Sequence, residues 1–393
     1  MQNINIEPPL LGLKVIEIGQ IAAGPFAGML LADLGADVVK IERPDGGDGM
    51  RSWPPLIKCE EGESYSGNFA SLNRNKRSIT IDFNDSVQLE KLKELCVEAD
   101  VLIENYRPGV LKKYRLDYEN IKTINPKLVY CSISGYGQTG PYAKKGAFDV
   151  TVQAISGLMS VTGEETGPPV KCGVPVGDFV TALYGAYSIM AALSKVSRTN
   201  QGVHIDCSML GSLLGISALQ TSEYHGTGES PKRLGSAHPR NAPYQGFNAI
   251  DKPFVIAAGN DKLWSAVCEI VEMPELEMDE RFNSQVLRAK NQKELTTILQ
   301  PVFSTGTSAE WLEKFDRKGV PCAPINSFED VLNDPHVQEM ELIEEIQLPN
   351  GLLTKDIGFP IQMSNFTFKI SKNPPKLGEH NHEVFNDWLT SKV

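Results

Sequence analysis

A strand, a turn of small residues, a helix and a second strand follow one another near the start of the chain. Residues 13–18 form a short β-branched run that ends at Gly19, which predicts a strand and a turn. Apolar residues at helical spacing follow over residues 26–31, and Gly35 ends that segment. Residues 37–42 predict a second strand. Such a βαβ unit requires a parallel sheet, so the sequence predicts an α/β fold.

Further segments extend this pattern, and the composition then changes. An amphipathic helix is predicted over residues 88–99, and more strands over residues 77–82, 101–105, 127–134 and 203–207. The polar stretch 224–243, with its Gly, His and Pro residues, is typical of a linker. From residue 254 a smaller α+β domain is predicted, with helices over residues 261–271, 292–303 and 309–317. The first turn lacks G-x-G-x-x-G, which disfavours an NAD-dependent dehydrogenase.

Asp178 is the only charged side chain between Lys171 and Lys195, and a long apolar helix is predicted directly after it. An Asp at this place either caps the helix by accepting backbone N–H groups or serves as a reactive carboxylate. For an isolated Asp, capping is favoured. Cys172 has no His near it in sequence, so we interpret it as a packing residue.

Composition limits the class of protein. The net charge of −11 argues against nucleic acid as a partner, and residues 269–345 hold 17 acidic but only 7 basic residues. Seven cysteines without a C-x-x-C indicate a reducing compartment. No signal sequence is apparent at the N-terminus and no apolar run is long enough to span a bilayer, so we expect a cytoplasmic protein without a membrane partner.

Basic and histidine residues offer a few candidate binding groups. Basic residues cluster at 74–77 and 107–115, which indicates either a solvated face or a local phosphate site. His380 and His382 have no third ligand nearby, so no metal site is predicted. His238 and Arg240 lie in the polar linker and could contact a substrate acid.

A series of short motifs runs along the chain from about residue 11 to about residue 386. The motifs are AGPFAG (23–28), LGADVVKIERP (34–44) with GD (47–48), NRNKRS (73–78), ENYRPG (104–109), SISGYG (132–137), SGLM (156–159), GD (177–178), DCSML (206–210) and GN (259–260). Together and in this order they resemble the class III coenzyme A transferases. Within that family, the sequences of segments 130–141 and 243–247 are most similar to those of succinyl-CoA-dependent enzymes that act on dicarboxylic acids, of the succinate–hydroxymethylglutarate CoA-transferase type.

The resemblance implies a Rossmann-like large domain with a parallel sheet, a smaller domain, and a homodimer of two interlocked rings. With it, we expect a large CoA-binding domain over residues 1–200, a linker over 201–245 and a small domain over 246–326. Residues 327–393 would then return as a linker and the C-terminal part of the large domain.

The resemblance also implies a function and a set of site residues. CoA would pass from an acyl-CoA, such as succinyl-CoA, to a carboxylic acid, expected to be a dicarboxylate, through a thioester on Asp178. No permanently bound cofactor is needed, because CoA is itself a substrate. Gly259 and Asn260 would belong to a loop that covers the intermediate. The positions matched to CoA binding are Ala22, Ala23, Arg43, Asn75, Lys76, Arg77, Asn105, Tyr106 and Lys113.

Two other functions are considered for this chain. An acyl-CoA racemase would need a His before the S-G-x-x segment, and Phe148 followed by Asp149 stands there instead. A CoA-binding protein without turnover is disfavoured by Asp178 beside Gly177 but stays open.

Overall fold

The computed structural model describes residues 7–58 and 64–389, so Cys59 and the first six residues, where no signal sequence was predicted, lie outside it. Its strands are β1 (Lys14–Ile18), β2 (Asp37–Glu42), β3 (Leu56–Lys58), β4 (Ser64–Ser66), β5 (Lys76–Thr80), β6 (Val101–Glu104), β7 (Val129–Ser134), β8 (Val203–Ser208), β9 (Tyr244–Asn248), β10 (Pro253–Ala257), β11 (Cys322–Pro324), β12 (Ile343–Gln347) and β13 (Leu353–Ile357).

Fifteen α-helices occur among the described residues. They are α1 (Ala23–Asp33), α2 (Gly67–Asn73), α3 (Ser86–Glu98), α4 (Tyr118–Ile124), α5 (Asp149–Ile155), α6 (Val176–Thr199), α7 (Met209–Ile216), α8 (Ala218–Thr227), α9 (Asp261–Ile270), α10 (Gln285–Lys290), α11 (Gln292–Phe303), α12 (Ser308–Arg317), α13 (Phe328–Leu332), α14 (Pro335–Glu339) and α15 (Asn381–Leu389).

A six-stranded parallel sheet, in the order β5-β2-β1-β6-β7-β8, organises the first of two compact units. This is the Rossmann strand order, and the α/β prediction is confirmed. Ile16 of β1 pairs with Val39 of β2 on one side and with Leu102 of β6 on the other. Because the order reverses between β1 and β6, a crevice is expected at the carboxyl ends of these two strands.

Helices cover both faces of the sheet, as a buried parallel sheet requires. One face packs against α3, α4 and α15, with Leu92, Ile121 and Trp388 in the core. The other face packs against α1 and α6. On α6 the small or apolar residues Ala182, Gly185, Ile189 and Ala192 recur at helical spacing and are buried.

The first unit is assembled from three stretches of the chain: residues up to Leu158, Cys172–Gly226, and residues from Met340 onward. The interval 201–245, predicted as a linker, instead contains β8, α7 and most of α8 in this unit before the chain leaves it near Thr227. Local composition at 201–226 does not reveal that β8 pairs with β7 in the large sheet.

The second unit comprises Met159–Lys171 and Thr227–Glu339. Its antiparallel sheet has the order β11-β10-β9, and its aromatic core centres on Phe254, Phe303 and Trp311. Predicted helices over residues 261–271, 292–303 and 309–317 correspond to α9, α11 and α12.

Within the described residues, the 24-residue helix α6 passes the length and composition test for a membrane span, with a mean hydropathy of 1.3 over an 18-residue window. The expectation that no apolar segment is long enough is therefore wrong by this measure. In this structure α6 packs against α1, α7 and strands β7 and β8, which accounts for one apolar face.

Candidate active site

The turn between β1 and α1 is fastened to the end of β6. Gln20 donates its backbone N–H to Asn105 Oδ1 at 2.9 Å, and Asn105 Nδ2 donates to the Gln20 carbonyl at 2.8 Å. The Gln20 side chain also donates to the Tyr106 hydroxyl at 3.0 Å. The N-cap of α1 is Ala22, which provides no side-chain cap. The first N–H groups of α1 can therefore serve an anionic or polar ligand.

Asp178 lies in the first turn of α6, next to α5. Gly177 donates its N–H to Asp149 Oδ1 at 2.8 Å, and a Cβ on Gly177 would lie only 2.9 Å from that oxygen. Phe179 packs its ring edge-on against Phe26 of α1, with centroids 4.8 Å apart. These contacts fix the start of α6 against both α5 and α1.

Burial, together with the smaller effect of the negative charge of Asp149, raises the pKa of Asp178 to about 6. Among the described residues, no hydrogen bond offsets this rise in the pKa of Asp178. The side chain does not cap α6 either, so the capping alternative is not supported. Asp178 is left as a carboxylate of raised basicity.

A cleft of about 360 Å³ joins these elements at the carboxyl ends of β1, β6 and β7. Asp178 lines it together with four residues predicted to bind CoA: Ala22, Ala23, Asn105 and Tyr106. Two cations, Arg107 and Lys145, and a second carboxylate, Asp149, also line it.

The sequence analysis did not assign roles to Gln20, Asp149 or Lys145, and it placed Arg107 only in a basic cluster that indicates a solvated face or a phosphate site. Gln20 directly follows Gly19 at the end of the first strand, which is a signal for the crevice of an α/β sheet. Lys145 lies in the Gly-, Pro- and Tyr-rich loop 135–146, a composition typical of a functional loop.

The basic motif at residues 73–78 is turned inward rather than toward the cleft. Lys76 is fully buried, donates to the Pro25 carbonyl at 2.7 Å, and forms an ion pair with Glu17 at 2.7 Å. Burial lowers the pKa of Lys76 to about 8. Asn75 donates to Asp33 at 2.9 Å. These partners come from β1 and α1, so the side chains of Asn75 and Lys76 are directed into the interior, and their contacts with CoA stay predictions.

Arg77 is likewise occupied by internal partners. Its guanidinium contacts Asp37 of β2 and, at 3.0 and 2.8 Å, Glu383 and Asp387 of α15. Arg43 and Lys113 are exposed and do not line the cleft, and Arg43 donates to the Gly47 carbonyl at 3.0 Å. The structure therefore does not bring these three cations to the cleft.

The remaining predicted residues lie in the second unit, and their roles stay predictions. Asn260 caps α9 by accepting the N–H of Leu263 at 2.9 Å, directly after Gly259. His238 stacks on Tyr244 with centroids 4.9 Å apart, and its Nδ1 accepts the N–H of Arg240 at 3.1 Å.

Among the described residues, no group of three or more His, Cys, Asp or Glu side chains is arranged to hold a metal ion. His380, which with His382 was considered as a metal ligand, accepts the backbone N–H of Ser78 at its Nδ1, 3.2 Å away. It therefore contributes to the attachment of the C-terminal segment to β5.

Comparison with known proteins gives a consistent result along the whole chain. Residues 10–381 match the sequence model of CoA-transferase family III. A succinate–glutarate CoA-transferase of Agrobacterium fabrum is 39% identical over 388 residues, covering 98% of this chain and 97% of the relative. The succinyl-CoA:glutarate CoA-transferase of Mus musculus is 40% identical over 382 residues, 97% of this chain and 86% of that protein.

A solved structure of similar sequence shows the same fold. The CAIB/BAIF family protein from Brucella suis superimposes with a TM-score of 0.87 at 40% identity, over 97% of this chain and 99% of that one.

Proposed function

Because the chain belongs to CoA-transferase family III and is a CoA-transferase, we propose that it moves CoA from succinyl-CoA to a dicarboxylic acid through a thioester on Asp178. The observation that carries this proposal is the position of Asp178 in the cleft beside the β1–α1 turn, with a pKa of about 6. A carboxyl with that pKa is about 90% ionised at pH 7, yet more basic than an ordinary Asp. Both properties suit a nucleophile.

The exchange balances without ATP or a metal. Asp178 attacks the thioester carbonyl of succinyl-CoA, the C–S bond breaks, and CoA leaves as a thiolate from a succinyl–aspartyl anhydride. The thiolate attacks the aspartyl carbonyl and releases succinate, which leaves an aspartyl-CoA thioester. The acceptor carboxylate then attacks the aspartyl carbonyl, displaces the thiolate and forms an acceptor–aspartyl anhydride. The thiolate attacks the acceptor's acyl carbon in this anhydride, which yields the new acyl-CoA and free Asp178.

CoA is assigned to the β1–α1 side of the cleft. The uncapped start of α1 at Ala22 and Ala23 offers N–H groups to a polar part of CoA. Asn105 and Tyr106, which are hydrogen-bonded to Gln20 of the same turn, line the cleft beside it. Tyr106 presents an aromatic ring suited to stacking on a base.

A dicarboxylic acceptor is supported by the charges that line the cleft. Asp149 and Asp178 both repel an incoming acid, so a second, unreacted carboxylate needs a cation. Arg107 and Lys145 are the cations that line this cleft in the described part of the chain. We assign them to the distal carboxylate of succinyl-CoA and of an acceptor such as glutarate, the acid in the names of the two relatives.

Three further roles complete the proposal. The backbone of Gly259 and Asn260 shields the intermediate from water, and His238 with Arg240 contacts the acid. The working form is a homodimer, which is supported by a row of exposed apolar side chains on adjacent helices of the first unit. The row comprises Leu183, Tyr184, Tyr187 and Met190 of α6, Leu214 and Ile216 of α7, and Leu219 of α8.

The experiment that tests the function is covalent trapping. Enzyme mixed with succinyl-CoA is quenched with hydroxylamine or borohydride, digested, and analysed by mass spectrometry. We expect modification of the peptide that holds Asp178, loss of that modification in Asp178→Asn, and normal labelling in the control Asp45→Asn, an exposed loop carboxylate. Transfer at a near wild-type rate in Asp178→Asn would end the proposal.

A further inference from the structure

Ile21, in the turn between β1 and α1, has a φ of +65°. A β-branched residue rarely adopts this left-handed conformation, because its branched Cβ collides with the backbone. Such a conformation persists only where the surroundings hold it, and it is often found at functional sites. Ile21 lines the cleft that contains Asp178.

Asp48 is the group that holds Ile21. The N–H of Ile21 donates to both carboxylate oxygens of Asp48, at 3.0 and 3.2 Å. Asp48 is buried, accepts the N–H of Met50 at 3.0 Å, and forms an ion pair with the fully buried Lys40 at 3.0 Å. Burial opposes the charge, but Lys40 and the two N–H donors hold the pKa of Asp48 below its ordinary value.

The local sequence explains how Asp48 reaches the turn. Gly46 and Gly47 after β2 both have positive φ, which returns the chain toward β1. A Cβ on Gly47 would lie 2.6 Å from Glu42 Oε2, and the N–H of Asp48 donates to that same oxygen at 2.9 Å. The loop is thus fixed by β2, and the Asp48 carboxylate is presented to Ile21.

The conformation of Ile21 affects two parts of the site. Its neighbours Gln20 and Ala22 line the cleft, so the direction of their backbone groups depends on it. Its side chain packs in a cluster with Met50, Phe69 and Phe179, and Phe179 directly follows Asp178.

We propose that Asp48 is a positioning residue for CoA transfer. Its carboxylate holds Ile21 in the left-handed conformation and thereby sets the β1–α1 turn in the cleft beside Asp178. The proposal rests on the function proposed above, since it assumes that CoA is exchanged in this cleft.

The test separates backbone conformation from side-chain packing. Asp48→Ala is combined with Ile21→Gly or with Ile21→Ala, and kcat and KM are measured with succinyl-CoA and glutarate. Asp48→Ala alone should lower kcat/KM by about 10- to 100-fold, the range expected when reacting groups are misplaced by about 1 Å. Adding Ile21→Gly should recover at least about fivefold, because glycine adopts positive φ without an anchor.

Ile21→Ala is the matched control, because it also removes the side chain but keeps the penalty on positive φ. It should recover nothing in the Asp48→Ala background. Equal kcat/KM in the two double variants would overturn the proposal. Near-UV circular dichroism verifies that the compared variants are folded, and a purely structural role of Asp48 predicts no difference between Gly and Ala at position 21.

A second variant covers the case in which Asp48→Ala does not fold. Ile21→Pro leaves Asp48 and Lys40 in place, removes the N–H that Asp48 accepts, and forbids positive φ. We expect kcat/KM to fall by about tenfold or more. Wild-type kcat/KM in this variant would overturn the role of Asp48.

The two proposals fail in different ways. Wild-type enzyme that transfers no CoA from succinyl-CoA to glutarate counts against the proposed substrates, and the variants are then compared with the donor and acid that the wild type does use. Wild-type transfer with no Gly–Ala difference counts against Asp48 alone.

Discussion

Gly177 donates its backbone N–H to Asp149 Oδ1 at 2.8 Å, so the carboxylate that holds the start of α6 also lies close enough to raise the pKa of Asp178. One side chain therefore fixes the position of Asp178, the proposed nucleophile, and increases its basicity. Gln153 holds the other oxygen of Asp149 at 2.7 Å, which orients the carboxylate.

The pH dependence of transfer should report this arrangement. Asp178 must be ionised to attack, so kcat/KM should fall as the pH drops through about 6. Asp149→Asn removes the negative charge, and the acidic limb should then move to lower pH. The measurement is the pH profile of kcat/KM for succinyl-CoA, at saturating glutarate, in the wild type and in Asp149→Asn. An unchanged limb in the variant would show that Asp149 does not act on Asp178.

Replacing Asp178 by Asn should raise the free energy of unfolding at neutral pH, although it abolishes transfer. The folded-state pKa of Asp178 is raised from 3.8 to about 6, so its ionisation opposes folding once the pH exceeds 3.8, and the penalty is complete above about 6. Asp178→Asn should therefore unfold less readily at pH 7, by up to about 3 kcal/mol, while losing transfer. Urea unfolding at pH 7 and pH 4 checks this, since the gain should almost vanish at pH 4.

The sequence predicted the elements whose signals are local. Strand β2 was predicted as observed, at Asp37–Glu42, because a β-branched run between Gly35 and Pro44 defines both of its ends. Asp178 stood out because an isolated carboxylate precedes a long apolar helix. Both inferences need only neighbouring residues, together with the family resemblance in the case of Asp178.

What the sequence did not predict are the contacts between residues that are distant in sequence. Nothing near residue 77 shows that Asp37 and α15 will enclose Arg77, because those groups are brought in by the parallel sheet and the returning C-terminus. Asp149 was missed as an active-site group for the same reason, since its contact with Gly177 spans 28 residues.

Acceptor selection should depend on Arg107 and Lys145. The double variant Arg107→Met with Lys145→Met should lower kcat/KM for glutarate by about tenfold or more, since a hydrogen-bonded charge contributes about 1.5–3 kcal/mol. With butyrate, which lacks the distal carboxylate, kcat/KM should change by less than about threefold on the scale of exposed ion pairs. Lys144→Met is the matched control, because Lys144 is exposed and does not line the cleft.

The results with butyrate decide what the two cations bind. An equal loss for glutarate and butyrate, with KM raised equally for succinyl-CoA and for butyryl-CoA, a donor without a distal carboxylate, would mean that Arg107 and Lys145 contact CoA phosphates instead of the acid. A loss for neither acceptor would remove both residues from the site.

Lys76 should be important for stability rather than for CoA affinity. It is fully buried between Glu17 and the carbonyl of Pro25, and Lys76→Met would leave Glu17 paired with Lys40 alone. Breaking a buried ion pair typically costs about 3–5 kcal/mol, and we expect a loss of that size in urea unfolding. The KM for succinyl-CoA should stay within about twofold among molecules that remain folded, because the ammonium does not line the cleft.

Lys112→Met, at an exposed position, is the control for loss of a charge. A large rise in KM with unchanged stability would instead restore the contact with CoA that the motif at residues 73–78 predicts, and would require Lys76 to leave its buried site when CoA binds.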